Sequence, residues 1–232
     1  MFAMQPGRMT HLTYVRIEEA AAILREAGAL EVDAFDLKLR HNAKNPTQVS
    51  NHLSEARVAL MFIENGARVT MRDRPDLKVD WLGDTFYAEV KHFKRKKQDQ
   101  LDEEAERNAP GDMLVPVGDT FKLEGRHPWE QVSDVARRKK DQYREGALNI
   151  LVIDSNSESM ELMAQSAVNE FDDQMLKTPG DQALGRLNGI MLIMSWGSTD
   201  GGWRNVEFCP ARRPTLPMSP RLALALDNVR VG

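Results

Sequence analysis

The sequence predicts an α/β fold, a sheet flanked by helices, on three observations. Residues 75–91, Pro-Asp-Leu-Lys-Val-Asp-Trp-Leu-Gly-Asp-Thr-Phe-Tyr-Ala-Glu-Val-Lys, alternate apolar and polar side chains around a turn, the pattern of a hairpin with one buried face. Residues 148–154 and 187–196 are nearly continuous apolar runs, as in strands covered on both faces. Apolar residues at helical spacing fill much of the remaining chain.

Taken in order, Ile17, Ala20, Ala21, Leu24 and Ala27 make a helical stripe within 13–29, with Gly28 as its stop. Residues 30–39 alternate apolar and charged side chains and suit a strand or a short helix, and 41–47 are polar with an Asn-Pro turn signal. A helix is expected over 50–65: Ser50 or Asn51 caps it, Leu53, Ala56, Leu60 and Ile63 are its buried stripe, and Asn65-Gly66 ends it. A strand over 67–71 leads into the hairpin. Residues 92–125 are the least regular, with Lys94, Arg95, Lys96 and Lys97 followed by Asp102, Glu103, Glu104 and Glu106, then Pro110-Gly111 and Pro116. A helix over 129–145 has Pro128 near its first turn and Gly146 beyond its end. The 148–154 strand, a helix over 159–176, the 187–196 strand, a turn at 197–202, a strand over 203–208 and a short helix from Arg221 complete the chain.

At 232 residues the chain is long enough for a full core, and 41% hydrophobic with 28% charged residues is ordinary for a globular protein. No apolar run reaches the roughly 18 residues of a membrane span. Residues 1–11 lack the basic-then-apolar order of a signal peptide. Cys209 is the only cysteine, which excludes a disulfide framework and a cysteine-based metal site. A soluble, reducing, cytoplasmic setting is therefore the expectation, with no membrane partner. A net charge of −4 argues against indiscriminate coating of nucleic acid and leaves room for a local basic track.

The hairpin carries the chemistry. Leu77, Val79 and Trp81 share one face with Phe86, Ala88 and Val90; Asp76, Lys78 and Asp80 share the other with Tyr87, Glu89 and Lys91. With Gly83-Asp84 in the turn, Asp76 stands opposite Lys91 and Lys78 opposite Glu89; a slipped register puts Asp76 opposite Glu89. In either register Asp76, Glu89 and Lys91 converge. Asp80, nearer the turn and opposite Tyr87, is the second-ranked carboxylate. Alone, a Glu-x-Lys on a strand is an exposed cross-strand pair worth under about 1 kcal/mol. Two carboxylates and an amine on one patch are also what holds a divalent cation beside a phosphate.

Pro75-Asp76, a hairpin, then Glu89-Val90-Lys91 resembles the PD-(D/E)XK nuclease superfamily, and the helix, strand, hairpin, helix, strand order from residue 50 is similar to its α-β-β-β-α-β core. The resemblance implies a restriction-endonuclease-like fold, a mixed central sheet flanked by helices over 50–232, with 1–49 as an N-terminal helical extension and 94–125 as an insertion. It implies a metal-dependent nuclease hydrolysing phosphodiester bonds, in DNA, with Mg²⁺ or alternatively Mn²⁺ as cofactor. Asp76, Glu89, the main-chain carbonyl of Val90 and Glu55 are then the expected metal ligands. Asp76, Glu89, Lys91 and Gln142 are the expected catalytic set. Lys94, Arg95, Lys96, Arg138 and Lys139 are the expected nucleic-acid contacts. The alternative is a catalytically inactive nucleic-acid-binding or protein-interaction module of the same fold, within a homodimer or a larger complex.

Overall fold

The structure is a computed structural model that describes residues 17–93, 128–155, 164–178, 181–195 and 204–230. Its elements are α1 (Ile17–Glu26), α2 (Val32–His41), α3 (Pro46–Glu64), β1 (Arg68–Met71), β2 (Leu77–Trp81), β3 (Asp84–Phe93), α4 (Pro128–Arg138), β4 (Leu148–Ser155), α5 (Ala164–Lys177), β5 (Leu187–Ser195), β6 (Arg204–Pro210) and α6 (Pro220–Asp227). The strands form one six-stranded sheet in sequence order. The pairs β1–β2, β2–β3 and β5–β6 are antiparallel, and β3–β4 and β4–β5 are parallel, so the sheet is mixed.

Each face of the sheet has its own apolar layer. Leu24, Phe35, Leu60 and Leu222 from α1, α2, α3 and α6 pack with Leu77, Phe86, Ile150 and Ile193 on one face. Val132 of α4 and Phe171 of α5 pack with Leu151, Ile153 and Leu192 on the other. The parallel strands β4 and β5 are thus covered on both sides, which is why their sequences read as unbroken apolar runs. The helices of residues 17–41 belong to the same core as the sheet, and Leu30 bridges to Thr70 of β1.

Several boundaries differ from expectation for local reasons. Of the two readings of residues 30–39 the helix forms, over Val32–His41. The long helix starts at Pro46, not at residue 50, because the Asn45 side chain accepts from the Thr47 and Gln48 amides at 3.1 and 3.3 Å and Pro46 fits a first turn without an amide hydrogen. Neither Ser50 nor Asn51 is the cap. The hairpin turn is Leu82-Gly83, both with positive φ (56° and 92°), rather than Gly83-Asp84. The helix expected over 129–145 ends at Arg138 and passes into a 3₁₀ turn, Lys140–Gln142.

One buried polar cluster ties α3 to the sheet. Asp154, at the end of β4 and 1% exposed, accepts from Ser54 Oγ at 2.5 Å and from the Arg57 guanidinium, with His92 Nδ1 3.8 Å away. Burial alone would raise its pKa; Arg57, His92 and Ser54 outweigh burial and hold the carboxyl far below its usual range. A depressed folded value gives stability that is complete above the ordinary carboxylate pKa of 3.8 and is lost as pH falls below it. Asp154→Asn should therefore destabilise the fold by about 3 kcal/mol near pH 7 in urea melts. The gap from wild type should narrow below pH 4, and a gap that stays constant with pH would count against the ion pair.

Candidate functional site

The site arises where β2 stops and β3 continues. The β2–β3 ladder closes at Leu77 opposite Ala88, while β3 runs on to Phe93 beside β4 alone. Past Ala88 the open edge of β3 presents backbone groups that need partners. Asp76 supplies one: its Oδ2 accepts from the Val90 amide at 2.8 Å. Its own backbone is fixed by the Arg72 amide, which donates to the Asp76 carbonyl at 2.7 Å. Continuing the register from Leu77–Ala88 puts Asp76 beside Glu89, so the slipped register is the one that forms, and Asp76 does not pair with Lys91.

Glu89 is 2% exposed. Its Oε1 accepts from Lys139 Nζ at 2.6 Å, and the same ammonium donates to Gln142 Oε1 at 3.1 Å. Gln142 therefore reaches the site through Lys139. Glu55 comes from α3, on the opposite side of the strand edge, and its Oε1 stands 3.0 Å from His52 Nδ1. The Asn42 amide nitrogen donates to the Lys38 carbonyl at 2.9 Å and lies 3.3 Å from His52 Nε2. That orientation makes Nε2 the acceptor and leaves Nδ1 to carry the proton donated to Glu55. Glu55 Oε2 and Glu89 Oε2 are both buried and without a hydrogen-bond partner.

The three carboxyls act on one another. Burial first, then Glu55 and Glu89, push the Asp76 carboxyl well above its usual range, against the Val90 bond and Lys139. Burial also raises Glu89, with Glu55 adding to it and Lys139 opposing. Cations answer this charge. Against burial, which lowers it, Lys38 of α2 is raised by Glu55, Asp73 and Asp76. Lys91, half-buried with its Nζ 3.5 Å from Asn51 Oδ1, is lowered by burial, Lys139 and Arg138.

Of the residues singled out in the sequence, Asp76, Glu89, Val90, Glu55 and Gln142 are thus joined through hydrogen bonds and electrostatics, with Lys91 on the same β3 face as Glu89. Lys139 bonds directly to Glu89, whereas the sequence placed it on a phosphate backbone. Arg138 is exposed and donates to the Asp134 carbonyl at 3.3 Å. Asp80 is apart from the site: it stands opposite Thr85, not Tyr87, and accepts from Thr85 and Lys78. Lys94, Arg95 and Lys96 lie outside the described residues, as does the 94–125 insertion. Lys38, Asn42 and His52 escaped the sequence reading; for His52 the visible signal was its three-residue spacing from Glu55 on one helix face.

Among the described residues no group of three or more His, Cys, Asp or Glu side chains stands ready to hold a metal ion. One Glu89 oxygen is taken by Lys139 and one Asp76 oxygen by the Val90 amide. The two unpartnered carboxylate oxygens are nonetheless hard, buried donors, the chemical type that divalent cations such as Mg²⁺ take as ligands. No helix is long and apolar enough to cross a membrane among the described residues. Comparison with family models, curated proteins and solved structures returns no match.

The raised carboxyl of Asp76 has a stability consequence of the opposite sign to that of Asp154. A folded pKa above the unfolded one gives stability present at low pH and lost as pH rises through the folded value. Asp76→Asn keeps an acceptor for the Val90 amide and removes the repulsion. Without divalent cations it should melt a few degrees above wild type near pH 8, with the difference shrinking toward pH 4. A variant that melts below wild type at pH 8 would show that the repulsion is not felt.

Proposed function

We propose that the chain is a metal-dependent nuclease of the PD-(D/E)XK type that hydrolyses phosphodiester bonds in DNA. The observation that carries this reading is the pair of buried, unpartnered oxygens of Glu55 and Glu89 beside Asp76, with Lys91 next on the same strand face. Leaving such oxygens desolvated is costly unless the site is built to receive a cation. The order α3-β1-β2-β3-α4-β4 also fits the restriction-endonuclease-like core that the resemblance implies.

Asp76, Glu89, Glu55 and the main-chain carbonyl of Val90 would hold Mg²⁺ or Mn²⁺. When bound, such an ion lowers the pKa of a coordinated water and neutralises charge developing on the phosphoryl oxygens. Lys91 serves the nucleophile. Placed beside these ligands on the same strand face, its amine would orient or activate the attacking water and stabilise the charge that develops in the transition state. Arg138 at the end of α4, Lys139 just after it and Gln142 in the following 3₁₀ turn would supply donors for a phosphate. His52, fixed by Asn42, keeps Glu55 oriented.

A second reading has its own observation. The Lys139–Glu89 bond neutralises the charge without a metal, as a catalytically inactive module of the same fold would do permanently. Cleavage of plasmid, linear duplex, single strands and RNA with Mg²⁺, Mn²⁺ or EDTA separates the two. The enzyme reading expects metal-dependent cutting that Glu89→Ala abolishes and that Lys91→Ala slows by about 10² or more, with both variants folded. Folded wild type that leaves every substrate intact in either metal would favour the inactive module.

A further inference from the structure

Among the described residues, Lys139 is the one cation hydrogen-bonded to a carboxylate of the site. Its Nζ lies 2.6 Å from Glu89 Oε1, close enough for a charge-assisted bond, and its side chain is about a quarter exposed (28%) while Glu89 is buried. The ammonium has a second acceptor already in place, Gln142 Oε1 at 3.1 Å, in the 3₁₀ turn. Glu55, by contrast, is held by His52, a neutral donor when Asn42 fixes its tautomer. Among the described residues, Glu89 alone of the three carboxyls has its charge met by a hydrogen-bonded cation.

We infer that Lys139 is an internal counter-ion that competes with the divalent cation for Glu89. In the metal-free protein the ammonium keeps the carboxyl cluster from flying apart. When a divalent cation binds, Lys139 leaves Glu89 and remains on Gln142, where its donors become available to a substrate phosphate. The same residue thus sets the concentration of cation the protein needs and couples metal loading to phosphate binding. Linkage then requires that whatever strengthens the Lys139–Glu89 bond weakens metal binding by the same factor. The inference rests on the proposed metal site and extends it to a positioning residue.

Calorimetric titration of Mn²⁺ into wild type, Lys139→Met, Lys139→Arg and Glu89→Gln tests it. Lys139→Met should bind Mn²⁺ about tenfold more tightly than wild type. The same variant should melt lower than wild type without metal and match it when saturated. Lys139→Arg should stay near wild type, and Glu89→Gln should lose binding. In the wild-type protein the side-chain NMR signal of Lys139 should shift as Mg²⁺ is added, a readout that survives if the methionine variant does not fold. If wild type binds Mn²⁺ and Glu89→Gln does not, while Lys139→Met binds equally or more weakly, the competition is wrong and the metal site stands. An unmoved Lys139 signal during binding contradicts the inference in the same way. If wild type binds no Mn²⁺, the site and the inference fall together.

Discussion

A single hydrogen bond, from the Val90 amide to the Asp76 carboxylate, fixes the geometry on which the rest depends. β2 begins one residue after Asp76, so beyond the Leu77–Ala88 pair β3 runs on with an unpaired edge. A backbone amide left there would cost the desolvation of a donor. Using a carboxylate instead of another strand satisfies the amide and places a negative charge beside the next outward residue of β3, Glu89. The charge is then trapped under α3, which contributes Glu55. A sheet edge closed by a side chain is thus the origin of the acidic cluster.

Such a cluster is stable only within a rigid and positively charged frame. Lys139 meets Glu89, Lys38 leans on Glu55 and Asp76, and His52 donates to Glu55. The rigidity comes from the neighbouring turn of α3. Ser54 and Glu55 are consecutive residues with different partners, Ser54 reaching Asp154 at the end of β4 and Glu55 turning to the strand edge. Arg57 completes the anchor on Asp154. The helix that supplies the third carboxyl is therefore pinned to the parallel strands by an ion pair that lies outside the acidic cluster.

Much of this was legible in the sequence because strands with one wet face must alternate and doubly covered strands must not. The 75–91 hairpin and the 148–154 and 187–196 strands follow from those rules. The register did not, since it turned on Leu82 adopting a left-handed conformation that sequence alone assigns to glycine. The start of α3 was misplaced because Asn45-Pro46 reads equally as a turn or as a cap followed by a first-turn proline. In the site, Asp76, Glu89 and Lys91 stood out by strand spacing. The Lys139 bond to Glu89 spans fifty residues and depends on α4 ending at Arg138, so no local pattern announces it. Lys38 and Asn42 come from the region read as an N-terminal helical extension, whose helices pack into the same core as the sheet.

The most direct test of the account is anomalous diffraction from crystals of the full chain grown with Mn²⁺. A manganese peak is expected among Asp76, Glu89 and Glu55, with Lys139 withdrawn from Glu89. No peak there, with Lys139 still bonded to Glu89 at saturating Mn²⁺, would contradict it.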